Sequence, residues 1–142
     1  MTMTEEIYWL VLTSGLTAAL SLVYVLNVIV RQYPKEYPIT GIFRILVFPP
    51  LPGEDRFQWE WGFRAERAHL NAIENLVAFA PLVLAVQITG TNNEMTAMAC
   101  QIYFWARLVH APGLIFKIPT VRTIAWMVGL GATFVLFYQL VA

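Results

Sequence analysis

Four residues near the middle of the chain, Arg64, Arg67, Asn71 and Glu74, are spaced 3, 4 and 3 apart. That spacing puts them on one face of a helix, with Asn75 at its edge. Farther on, Cys100, Tyr103, Arg107, His110 and Leu114 share a face by the same rule. Both sets fall in otherwise apolar surroundings, where an ionisable group is expensive and marks a site that needs a partner. Glu74 lies 11 residues past Phe63 and Arg107 lies 10 before Lys117. At 1.5 Å per residue each is roughly 15 Å from the same membrane surface. A Glu74–Arg107 pair near mid-bilayer is therefore expected, joined by charge-assisted hydrogen bonds. Losing one partner would strand a buried charge, at roughly 3–5 kcal/mol. Such a pair would serve helix packing as well as a binding site.

The remaining cations point to an anion. Arg31, Arg64, Arg67 and Arg122 gather at one membrane edge, in excess of the carboxylates in the adjoining helices. Arginines at helix ends also snorkel to lipid headgroups, which is the plainer account of them. His69 falls roughly opposite the Asn71 and Glu74 face, so the pattern supports neither a catalytic triad nor a metal site, and an interhelical hydrogen bond is its expected role. His110, one turn from Arg107, suits either a ligand contact or an interhelical hydrogen bond. Cys100, the single cysteine, has no disulfide partner and too few fellow thiols for a zinc or iron–sulfur centre.

The elements that must hold these residues are membrane helices. Of 142 residues 58% are hydrophobic and only 13% charged, with a mean hydropathy of +0.61. An ordinary soluble domain is less apolar. Nine basic residues balance nine acidic ones, leaving no positive excess to bind nucleic acid. Four spans of about 20 apolar residues are expected, at 7–30, 68–88, 95–116 and 124–141. Residues 1–6 carry Glu5 and Glu6 in place of a basic leader, so the first span is expected to be retained. A connector over 31–62 holds five of the eight prolines. Pro81 and Pro112 fall inside spans and are expected to kink them. Eight of the nine basic residues lie in or at the edges of the first and third connections. The positive-inside rule then turns those connections to the cytoplasm and both termini away from it. The expected fold is one all-α domain, an integral membrane four-helix bundle.

The stretch Arg64-Ala-Glu-Arg-Ala-His-Leu-Asn-Ala-Ile-Glu-Asn75 resembles the second-helix signature of the MAPEG family, the membrane-associated proteins of eicosanoid and glutathione metabolism. Arg107-Leu-Val-His110 resembles its third-helix arginine, and Lys117-Ile-Pro-Thr-Val-Arg122-Thr its entry to the fourth helix. The resemblance implies a multi-pass homotrimer that binds glutathione between subunits near the cytoplasmic surface, with a lipophilic substrate arriving from the membrane lipids. By the same similarity Arg67, Asn71, Glu74 and His110 would hold glutathione, Arg107 would brace Glu74, and Arg31 of a neighbouring first helix would meet a glutathione carboxylate. Arg122 would be catalytic, its guanidinium favouring thiolate over thiol. The chain departs from eicosanoid-forming members at Leu114 and Trp126, where some of them carry tyrosine.

Three functions fit these residues. The first is a glutathione transferase, with peroxidase activity as an extension. The second is a non-catalytic lipid-binding or scaffolding trimer. The third is a small four-span transporter that uses Glu74 as a proton or cation site.

Overall fold

A computed structural model describes residues 3–32 and 60–142, without the side chains of residues 28–32. Four helices account for nearly all of it: α1 (Glu5–Gln32), α2 (Glu60–Thr89), α3 (Glu94–Ile115) and α4 (Pro119–Val141). No strand occurs among the described residues. The helices run antiparallel in succession. Thr4 at the start of α1 donates to Gln87 near the end of α2, at 2.7 Å. Asn93 at the start of α3 donates to Gln139 near the end of α4, at 2.9 Å.

Each helix turns a narrow stripe inward. On α1 the buried residues are Glu6, Thr13, Thr17, Leu20 and Asn27, successive steps of 7, 4, 3 and 7. The threonine hydroxyls are satisfied within the helix, on the carbonyls of Trp9 and Thr13. The stripe of α2 is Ala65, Ala68, Ala72, Phe79, Val83 and Val86, and that of α4 is Ala125, Gly129, Ala132 and Leu136. Large exposed side chains such as Leu22, Val77, Ile102, Trp105 and Phe134 cover the outside. That inversion of the soluble pattern is what a hydrocarbon solvent permits, and small inward residues let membrane helices approach closely.

Helices α2 and α3 form the centre, each packed on the other three elements, while α1 and α4 flank them and do not touch among the described residues. At the Asn93 end the core is bulky: Phe79, Val83, Val86, Tyr103 and Leu136 pack around Ala99, Cys100 and Ala132. Phe79 and Tyr103 stack with centroids 3.6 Å apart and planes 1° from parallel. At the Glu60 end the buried cluster is Leu20, Ala68, Ala72 and Ala111. Three alanines there leave space that aromatic residues fill at the other end.

The ends of α3 are firmly fixed. Asn93 caps its start by accepting from the amides of Met95 and Thr96, and Thr96 Oγ1 accepts from the Asn93 amide in return. The same hydroxyl donates to the buried Glu6 carboxylate at 2.6 Å, which also tethers α1. At its other end the amides of Lys117 and Ile118 return to the carbonyls of Leu114 and Gly113, closing a Schellman turn with Lys117 in the left-handed position at φ 59°. Pro119 then opens α4 at a position where its missing amide is harmless.

Three helices, α1, α2 and α4, are long and apolar enough to cross a membrane. Helix α3, at 22 residues, carries Arg107 and His110 and is not among those three, yet it packs on all of them. The α2 and α4 helices begin before the apolar spans expected from sequence, at Glu60 and Pro119. The reason is that hydropathy marks immersion and not backbone hydrogen bonding. Both α2 and α3 continue through their prolines, Pro81 and Pro112. The 31–62 connector falls almost wholly outside the described residues.

Candidate functional site

At the Glu60 end lies a cavity of about 290 Å³ lined by Arg67 and Asn71 of α2, His110 and Leu114 of α3, and Arg122, Thr123 and Trp126 of α4. A second cavity of about 440 Å³ adjoins it and shares Arg67, Leu114 and Arg122. Arg64, Lys117 and Phe63 add to its wall. The two lobes make one cleft, within the size range of roughly 300–1,000 Å³ in which small molecules are bound. Among the described residues no carboxylate lines either lobe. The cleft has the electrostatics of an anion site.

Local structure accounts for each cation. Arg64 donates from Nε to the Ile115 carbonyl at 2.7 Å, satisfying one of the last acceptors of α3. Its other arm and Lys117 converge on the Glu60 carboxylate, at 3.3 and 3.0 Å. These contacts hold the start of α2 against the α3–α4 turn. Gly113 sets Arg122: a side chain there would come within 3.1 Å of the Arg122 amide and 3.3 Å of its Cα. A side chain there would require the first turn of α4 to give way by a few tenths of an ångström. Arg67 and Arg122 are exposed on the cleft walls, whereas His110 is only 5% exposed.

The structure brings together four of the residues singled out from sequence. Arg67, Asn71, His110 and Arg122 meet in one cavity. Arg107 does not line it. It lies behind the wall, 4% exposed, donating to Asn71 Oδ1 and to the Trp126 carbonyl, both at 3.4 Å. Its guanidinium carbon stands 5.3 Å from the centroid of the Tyr103 ring.

The expected Glu74–Arg107 pair is not formed within the chain. Glu74 lies two residues past Ala72, about 200° around the helix, and is exposed on the far side of the buried alanine stripe. The alanines, and not the polar face, set the rotation of α2, and they leave Asn71 at the boundary to receive Arg107. The Arg31 side chain lies outside the described residues. His69 makes its interhelical contact with the Tyr24 ring of α1, at 5.6 Å between centroids, and Cys100 is buried in the core.

Thr123 was not anticipated. It follows Arg122 directly and reaches the cavity by position alone. Leu114 and Trp126, the two departures noted from sequence, both line the cavity, so those departures alter the wall itself.

Comparison with known proteins gives a consistent result. The MAPEG family model matches residues 10–142. Microsomal glutathione S-transferase 1 of Mus musculus is 33% identical over 78 residues, which cover 54% of this chain and 50% of that protein. The proteins of the same name from Rattus norvegicus and Homo sapiens are 32% and 28% identical over the same length and the same shares. The chain spans about half the length of the curated relatives it matches. No solved structure matches it significantly.

Proposed function

The chain belongs to the MAPEG family, and on that premise we propose that it is a membrane-bound glutathione transferase that joins the glutathione thiolate to lipophilic electrophiles. The observation that carries this reading is the cleft walled by Arg64, Arg67, Lys117 and Arg122 with His110, Asn71 and no acidic side chain. Glutathione offers two carboxylates, several carbonyl acceptors and a thiol, and the cleft offers donors for all of them. Arg67, Asn71 and His110 hold the tripeptide. Arg122, at the junction of the two lobes, faces the sulfur.

A guanidinium beside sulfur lowers the thiol pKa, so the proton leaves to water at the open mouth and a thiolate stays behind. The thiolate gives its electron pair to an electrophilic carbon. A carbon–sulfur bond forms as the leaving group departs with its own pair. The electrophile comes from the bilayer, in which such compounds concentrate.

One feature supports a wider assembly. Glu74 is exposed in the middle of a helix apolar enough to span, and a carboxylate there is unfavourable against lipid. A neighbouring copy that covers this face of α2 removes the problem, and a homotrimer is the form we assign. Arg31 and Glu74 of adjacent copies then complete the glutathione site. With four spans and the basic connections inward, the cleft opens to the cytoplasm and both termini lie on the other side.

The test is direct. Purified protein mixed with glutathione should show thiolate absorbance in the ultraviolet, and Arg122→Ala should abolish it while glutathione still binds. Binding without thiolate in the unaltered protein would instead indicate the scaffolding role. Absence of binding, with substrate-coupled proton flux in vesicles, would indicate transport.

A further inference from the structure

The Arg107 guanidinium is lodged against the backbone of α4 at Gly129. A Cβ added to Gly129 would overlap Arg107 Nη2 and stand only 3.1 Å from Nε and 3.2 Å from Cζ. The guanidinium, buried with Tyr103, Asn71 and the Trp126 carbonyl around it, would have to move off α4 and so change these contacts. What Arg107 does from there is visible at Asn71. The Asn71 Oδ1 accepts from Arg107 Nη1 at 3.4 Å and from Asn75 Nδ2 at 3.3 Å. With two donors on its oxygen, the Asn71 amide is fixed with oxygen inward and Nδ2 as the group left for the cavity.

We propose that Gly129 is a positioning residue of the cleft. Its missing side chain seats Arg107 against α4, and Arg107 in turn orients Asn71 so that its NH2 donates to an acceptor oxygen of the ligand. The inference rests on the reading of the cleft as a glutathione site and adds a residue that lines neither lobe. It separates two roles in the cleft: Asn71 governs affinity through this relay, and Arg122 on the other wall governs thiol ionisation.

The experiment measures, on the full chain, the glutathione Kd and the pH midpoint of thiolate formation in bound glutathione. Gly129→Ala should weaken binding about tenfold, the effect of one lost hydrogen bond, and leave the thiolate midpoint unmoved. Asn71→Ala should give the same loss, and the double variant no more than either alone. Gly131→Ala, where an added Cβ meets nothing within 4 Å, controls for the helical effect of replacing a glycine and should bind as the unaltered protein does. If Gly129→Ala does not accumulate folded, Arg107→Lys carries the test. Its ammonium keeps the charge but cannot reach Asn71 and the α4 carbonyl together, so the same tenfold loss with an unmoved midpoint is expected. Unaltered affinity in the variant that folds, losses that multiply in the double variant, or a shifted midpoint would overturn the proposal. Failure of the unaltered protein to bind glutathione would instead remove the reading of the cleft, and this inference with it.

Discussion

Replacing Tyr103 with phenylalanine should stabilise the protein. The hydroxyl of Tyr103 is buried and has no hydrogen-bond partner among the described residues, in a residue only 1% exposed. A buried donor left unpaired forfeits about 1–3 kcal/mol of hydration. The ring itself contributes through its stack on Phe79 at 3.6 Å and its place under Arg107. Phenylalanine keeps both, and an aromatic stack of this kind is worth about 0.5–1.5 kcal/mol beyond burial. The net expectation for Tyr103→Phe is a gain of about 1 kcal/mol per protomer. For a chain of this size that is a rise in Tm of about 3 °C. Tyr103→Leu loses the stack and leaves a cavity, and should fall by about 2–4 kcal/mol. Thermal unfolding in detergent, followed by near-ultraviolet circular dichroism, reads both. A loss of more than about 1 kcal/mol in Tyr103→Phe would refute the reasoning, because it would mean the hydroxyl is satisfied in the assembled protein.

Thr96→Val removes a hydroxyl that both closes the α3 cap and donates to the buried Glu6 carboxylate. A bond to a charged group is worth about 1.5–3 kcal/mol, so Tm should fall by about 5 °C. Thr96→Ser should recover most of it, and an unchanged Tm in the valine variant would contradict the role given to this contact. Lys117→Gly relieves a left-handed residue, a gain of about 1 kcal/mol. It gives up only an exposed contact with Glu60, worth about 0–1 kcal/mol. Its Tm should equal or exceed that of the unaltered protein, whereas Lys117→Ala keeps the strain and should lie below Lys117→Gly. The reverse order would show that the Glu60 contact outweighs the backbone.

Much of the fold could be read from the chain. Four apolar runs become four helices because a chain that buries its backbone polar groups in lipid must pair them within the segment. Of the four residues that meet in the cavity, Arg67, Asn71 and His110 were legible because Arg67 and Asn71 are one turn apart on their helix and His110 is one turn from the buried Arg107, whereas the role of Arg122 came from the family resemblance. What spacing could not supply was the phase of α2 against its neighbours. Arg64, Arg67, Asn71 and Glu74 do share a side of the helix, yet Ala65, Ala68 and Ala72 are the residues turned inward. Close approach of backbones decides rotation, and no count of polar residues reports it. Gly129 escaped notice for the same reason, since a glycine in an apolar helix signals nothing until the group that occupies its space is known.

The change from aromatic to alanine filling along the bundle has a mechanical consequence. Interlocked rings and a double cap make the Asn93 end the stiff foot of the molecule, whereas at the Glu60 end methyl groups give neighbouring helices few projections to catch on. Thermal motion is therefore channelled into small splaying of the helix tips around that foot, as with the blades of a pair of tongs. Backbone amides of α2 and α3 should exchange with solvent deuterium faster from the Glu60 end than from the Asn93 end. Filling the cleft should slow the faster set and leave the slower one as it was.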